Sequence, residues 1–182
     1  MAVKTFTTEV LTSADTNTYL ANSGLVYVTS ATIGTGVSTV TVSSAFSATY
    51  DNYRIVVSGG VSAANAVMQL SLGSSVTGYY SVLNYAAYAS ASTPLSAGNN
   101  NSALWDYVGY VTASSLSASF DLINPFAAKN TQFHAAGWCA LSAAGTASGV
   151  HQVASSFTAF TLSAGGNALT GGTVTVYGYR KA

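Results

Sequence analysis

The sequence predicts an all-β fold, an antiparallel β-sandwich of jelly-roll type with a short N-terminal helical appendage. Three observations carry that prediction. Short runs in which apolar and polar residues alternate recur along the chain, as in strands with one buried and one wet face. Clusters of Gly, Asn and Asp separate those runs. The chain has two prolines, Pro94 and Pro125, and neither interrupts an alternating run.

The elements follow in order. Thr12-Ser13-Ala14-Asp15 has the form of a capping box, with Thr12 as N-cap and Asp15 at the favourable end of the helix dipole. A short helix through Tyr19 and Leu20 would then stop near Gly24. Such a helix is too short to hold alone and needs a packing partner. Residues 1–23 are therefore read as an anchoring segment and residues 24–182 as the sandwich.

Thr39–Ser43 places two valines on one face and hydroxyls on the other. Tyr53, Ile55 and Val57 share a face, as do Met68, Leu70 and Leu72. Ser74 to Ser102 is uncharged and rich in Tyr, Ser and Ala, and reads as strands joined by elaborated loops. Leu116–Leu122 alternates over seven residues, and Phe157–Leu162 and Thr173–Tyr177 complete the series. Turns are expected at Gly34–Gly36, Asp51–Asn52, Gly59–Gly60, Gly73–Ser75, Gly98–Asn101, Gly145, Gly165–Asn167 and Gly171–Gly172. Many short strands at this spacing fit a sandwich better than βαβ units.

Composition limits the function. Charged residues make up 5% of 182, and net charge is zero; a typical soluble domain carries about 25%. A nucleic-acid binder needs a basic footprint, and a membrane-surface binder a polybasic patch. Polar residues interrupt every apolar run, so no membrane-inserting stretch is expected.

Catalytic constellations are equally scarce. His134 and His151 belong to no metal-ligand spacing, so neither a metal nor a cofactor is expected. Both read as surface or hydrogen-bonded strand residues. Cys139 is the one cysteine and lies in an apolar run that suggests burial. No nucleophile elbow is present, and no pair of carboxylates suits glycoside hydrolysis. Asp51 reads as a turn residue and Asp121 as part of a strand's polar face. Asp106 stands apart, beside Trp105, Tyr107 and the Asn99-Asn100-Asn101 run. No catalytic residue is assigned.

Asn99, Asn100, Asn101, Trp105 and Tyr107 are the candidate contacts for a receptor or glycan. Tyr and Trp offer large contact area with a polar tip, and asparagine offers adaptable hydrogen bonding. The competing reading is that these aromatics fill the core and a subunit interface, where both types are also enriched. That second reading is favoured.

Three stretches resemble small structural proteins of tailed bacteriophages. Glu9 to Leu20 resembles an N-terminal segment found ahead of tail-fibre and minor tail proteins. Phe46 to Val57 resembles a strand pair of such virion proteins, and Phe160 to Arg180 resembles their closing hairpin. The resemblance implies a non-enzymatic virion component, assembled in the host cytoplasm and displayed as a trimeric β-sandwich. Its expected partners are further copies of itself, other virion proteins and a host surface receptor or glycan. Val10, Leu11, Asp15, Tyr19 and Leu20 would anchor it to the particle. A small tail fibre or tail-tip adhesin is the first expectation, a capsid decoration protein the second and a carbohydrate-binding module the third. The charge map adds an expectation of its own. No charged residue lies between Arg54 and Asp106, or between Lys129 and Arg180, as in surfaces that are covered by other subunits.

Overall fold

A computed structural model describes residues 24–90 and 92–181. The expected helix and the anchoring residues Val10, Leu11, Asp15, Tyr19 and Leu20 lie outside the described residues.

The described chain forms strands β1 (Leu25–Thr32), β2 (Thr39–Val42), β3 (Asn52–Ser58), β4 (Val61–Ser62), β5 (Ala66–Leu72), β6 (Tyr79–Ala87) and β7 (Leu95–Ser102). It continues with β8 (Trp105–Val111), β9 (Leu116–Ile123), β10 (Thr131–Cys139), β11 (Ala143–His151), β12 (Phe160–Ser163), β13 (Leu169–Thr170) and β14 (Thr173–Tyr179). Every strand pair is antiparallel.

Two sheets face each other. One contains β2-β12-β5-β8, and the other begins β1-β14-β3-β9. If β1, β2, β3, β5, β8, β9, β12 and β14 are counted as one to eight, the sheets run 2-7-4-5 and 1-8-3-6. That is the strand order of a jelly roll, the two-sheet solution that pairs first and last strands and leaves few edges. The sheets join at a corner where Tyr110 and Val111 of β8 pair with Ser117 and Leu116 of β9.

Two inserted hairpins enlarge the second sheet. β6–β7 lies between the fourth and fifth jelly-roll strands, and β10–β11 between the sixth and seventh. They continue the sheet as β9-β10-β11-β6-β7, so it is eight strands wide.

The alternation seen in the sequence is the alternation of burial. Val40 and Val42, the set Tyr53, Ile55 and Val57, and the set Met68, Leu70 and Leu72 all face inward. So do Leu116, Ala118, Phe120 and Leu122, and then Val174 and Val176. Burying a side chain of this size contributes about 1.5–3 kcal/mol before entropy is counted. Phe46 packs on Tyr53 and Phe160, with ring centroids 4.9 and 5.5 Å apart. The Tyr53 hydroxyl accepts from the Ser47 amide at 2.8 Å and donates to the Ser47 carbonyl at 2.9 Å, which fixes the loop after β2.

Under the inserted hairpins the core is aromatic. Trp105 lies 5.0 Å from Phe133 and 5.3 Å from Tyr79, centroid to centroid. His151 lies 4.2 Å from Tyr79 and 5.3 Å from Phe157. β8 thus roofs the extension with Trp105 as its central contact.

Two turn expectations are corrected. Gly98–Asn101 lies inside β7, and Gly145 lies inside β11. Gly145 is required by close approach: a Cβ there would sit 2.1 Å from the Asn84 carbonyl oxygen across the β6–β11 ladder. The two-glycine turns fell where expected, and Gly60 and Gly172 approach Gly171 and Gly59 too closely for any side chain.

Candidate functional site

The wide sheet has one face on the core and one facing outward. Its ladders shift register at bulges in β1, β10 and β7, but away from those bulges one outward row can be followed from edge to edge. That row reads Tyr27, Tyr177, Arg54, Asp121, His134, Ser148, Val82 and Gly98. It begins aromatic, passes through one ion pair, and ends in small or apolar residues.

The ion pair is the row's fixed point. Arg54 donates to Asp121 through Nε at 2.8 Å and Nη2 at 2.7 Å, the two-pronged geometry that holds a carboxylate best. The Tyr179 hydroxyl donates to the same carboxylate at 2.7 Å. Partial burial pushes the Asp121 pKa up, but the hydrogen bonds from Arg54 and Tyr179 and the Arg54 charge outweigh it, so the net shift is downward. The hydrogen bond with Asp121 is likewise the main cause of the upward shift on Arg54.

Beyond His134 the extension carries a shallow groove of about 470 Å³. Tyr80, Val82, Asn100, Gln132, His134 and Ser148 line it. The side chains of Asn100, Gln132 and Ser148 make no hydrogen bond among the described residues, so their polar atoms face outward unused.

The residues singled out from sequence divide. Asn100 lines the groove. Asn99 donates to the Asp106 carboxylate. Asn101 accepts from the Gly78 amide at 3.0 Å and the Thr77 hydroxyl at 3.1 Å. Its φ of +53 marks the bulge that lets two residues of β7, Asn100 and Asn101, face one of β6, Tyr80. The asparagines therefore lie in a strand, not a loop, and point three ways.

Trp105 is fully buried and is corrected from a surface contact to the centre of the extension's core. Tyr107 is half-buried against the core, at a bulge in β8 where its φ is +67. Asp106 is spent on structure: it accepts from Gln69 Nε2 at 2.6 Å as well as from Asn99. Gln69 in turn accepts from Ser163 and Gly165. The network ties β7 of the extension to the outer face of the smaller sheet. Asp51 pairs with Lys181 at 2.7 Å.

Cys139 is exposed, contrary to the burial its apolar neighbours implied. The bulge between Ala135 and Trp138 is the reason, because it turns Trp138 inward and Cys139 out. Trp138 then donates to the Gly109 carbonyl at 3.1 Å. His151 is buried in β11, its Nε2 2.8 Å from the Ser75 hydroxyl and 3.1 Å from the Thr77 carbonyl. The carbonyl requires a proton on Nε2, so that nitrogen donates and Ser75 is not an activated nucleophile. Burial lowers the His151 pKa and keeps the ring neutral.

Among the described residues no three of His, Cys, Asp and Glu gather as a metal set. No described helix is long and apolar enough to cross a membrane. Charge is segregated. The described charged residues are Asp51, Arg54, Asp106, Asp121, Lys129, Arg180 and Lys181. All but Asp106 sit at or near the end of the molecule where Gly24 enters, which is marked by the Leu25–Tyr179 pair. The opposite end is uncharged and exposes Tyr88, Leu95 and Leu141. No protein-family model matches the chain, and no curated protein matches it.

Proposed function

We propose that this chain is a non-enzymatic structural protein of a bacteriophage virion. It is displayed on the particle exterior as a trimeric β-sandwich, attached through residues 1–23, and serves as a small tail fibre or tail-tip adhesin. The observation that carries this reading is the segregation of charge. Six of the seven described charges gather at the end where the anchoring segment joins, which leaves the other end and most of the broad outward face neutral. Such a surface on a free monomer favours association. Between subunits it is ordinary, since interface cores lack charge and favour aromatic side chains. The jelly roll also recurs in capsid and lectin domains, although fold alone does not fix function.

The glycan-contact role assigned to Trp105 is not carried forward. Asn100, with Tyr80 and Gln132 beside it, lines the outward groove on the neutral face that neighbouring subunits cover. Deleting residues 1–23 tests the attachment: the truncated chain should fold and be absent from purified particles. Incorporation at the normal level would refute it. Copy number separates the tail from capsid decoration, because a few to tens of copies per particle fit the former and hundreds the latter.

A further inference from the structure

The seam between the jelly roll and its inserted hairpins contains a cleft that no part of the proposed attachment uses. β9 and β10 pair only at Asp121–Ile123 and Gln132–His134. Past that point β9 turns to pair with β8, while β10 stays with β11. The bulge at Ala136–Gly137 bends β10 away. A wedge of about 490 Å³ opens between the strands, narrowing toward the last β9–β10 pair, whose residues lie outside its lining, and floored by Tyr110 of β8.

Its lining is specific in chemistry. It contains no carboxylate, ammonium, guanidinium or imidazole group. Ser58, Ser117 and Ser119 line its walls, and their hydroxyls make no hydrogen bond among the described residues. Tyr110 supplies a ring, held edge-on by Trp138 at 5.5 Å. The volume falls in the range of small-ligand sites, about 300–1,000 Å³. A charged ligand would find no counter-charge. An extended peptide strand would run into the narrow end of the wedge. A compact, uncharged, hydroxyl-bearing ring suits the cleft, with its polar rim on the serines and its apolar face on Tyr110.

We infer that this cleft binds a neutral saccharide. The site lies at the uncharged end, away from the pole where residues 1–23 enter; its use as a receptor contact rests on the proposed function, but binding itself does not.

The experiment uses the purified full-length chain on an array of neutral, sialylated and sulfated oligosaccharides together with uncharged strand-forming peptides. Hits are repeated on Gly137→Trp, on Ser117→Ala/Ser119→Ala, and on Gln132→Ala in the outward groove. Gly137 is chosen because it lines the cleft, a Cβ there meets nothing within 4 Å and its φ is outside the left-handed region; a melting temperature equal to that of the natural chain checks that the variant keeps the fold. The expected result is binding to neutral oligosaccharides, lost at least tenfold in the first two variants and unchanged in Gln132→Ala. The bound saccharide should also slow maleimide labelling of Cys139, which lines the cleft mouth. Binding that survives Gly137→Trp, preference for charged glycans or peptides, or no binding to any neutral glycan overturns the inference. None of these outcomes depends on particle incorporation, so the saccharide site and the virion role fail separately.

Discussion

Single residues explain why so little charge suffices. The described chain invests its ionisable groups in pairs and networks. Arg54, Asp121 and Tyr179 lock three strands together, and a double-mutant cycle on Arg54→Met and Asp121→Asn should return a coupling of roughly 1 kcal/mol, as two-pronged pairs do. A coupling indistinguishable from zero would show the pair to be decorative. His151 sets the acid response. Its folded pKa is lowered by burial, so the unfolded chain binds the proton more readily as pH falls below the ordinary imidazole value of about 6.5. Stability is therefore full above that value and declines below it. Asp121, whose folded pKa is also lowered, adds a second decline only below the ordinary carboxylate range. Urea midpoints at pH 7.5 and 5.5 should differ for the natural chain and coincide for His151→Phe, a ring that suits the neighbouring Tyr79 and Phe157. Equal slopes in both proteins would mean that another group carries the pH dependence.

Residue type without direction was the limit of the sequence at this scale. Trp105 and the asparagines look like a binding surface because of what they are. Their roles depend on where they point, and that is decided by bulges in β7 and β8. The Tyr107 φ of +67 and the Asn101 φ of +53 record those bulges, and no residue pattern announces them. Asn101 alone carried a hint, since asparagine tolerates the left-handed region better than most residues.

Elements with large apolar residues on one face were legible. β3, β5, β9 and β14 alternate cleanly, and their buried faces are the predicted ones. β10 and β11 were harder to read, because Ala and Gly on both faces blur the period of two. β11 in particular combines Ala143, Ala147 and His151 inward with Gly145 and Gly149 in the ladder. Those glycines look like turns in the sequence yet are there so that strands can approach. Gly145→Ala should destabilise the fold by about 1–3 kcal/mol, the range for overpacking, and Gly149→Ala should do likewise, because its Cβ would lie 2.4 Å from the Tyr80 carbonyl oxygen. Thermal melts are the check, and an unchanged melting temperature in both would show that the ladder gives way easily. Strand order was not legible at all. It requires long-range pairings such as β1 with β14, which local periodicity cannot encode.

At the scale of the whole molecule, two neutral gaps in the sequence become one geometric fact. Three of the four residues that bound those gaps, Arg54, Lys129 and Arg180, come to one end because β3, β9 and β14 lie side by side. The broad face and the far end are then left to Tyr27, Val82, Tyr88, Leu95 and Leu141, all exposed in the single chain. The two outer strands of the wide sheet, β1 and β7, also contain no charged residue and no proline, the usual guards of an open edge. The proposed covering by neighbouring subunits, around Val82 and along β1 and β7, accounts for both features and leaves the cleft beside Leu141 open. Val82→Lys should therefore weaken association measured by light scattering while leaving the melting temperature of the chain nearly unchanged. A loss of folding without a change in mass would place Val82 in the core's support instead.

The most direct measurement is a cryo-electron microscopy map of intact particles at a resolution that resolves strands. The account predicts an exterior trimer of this jelly roll, its charged pole directed at the particle and its neutral outward faces packed against other subunits. An isolated monomer with those faces open to solvent, or no density for the chain on the particle, would contradict it.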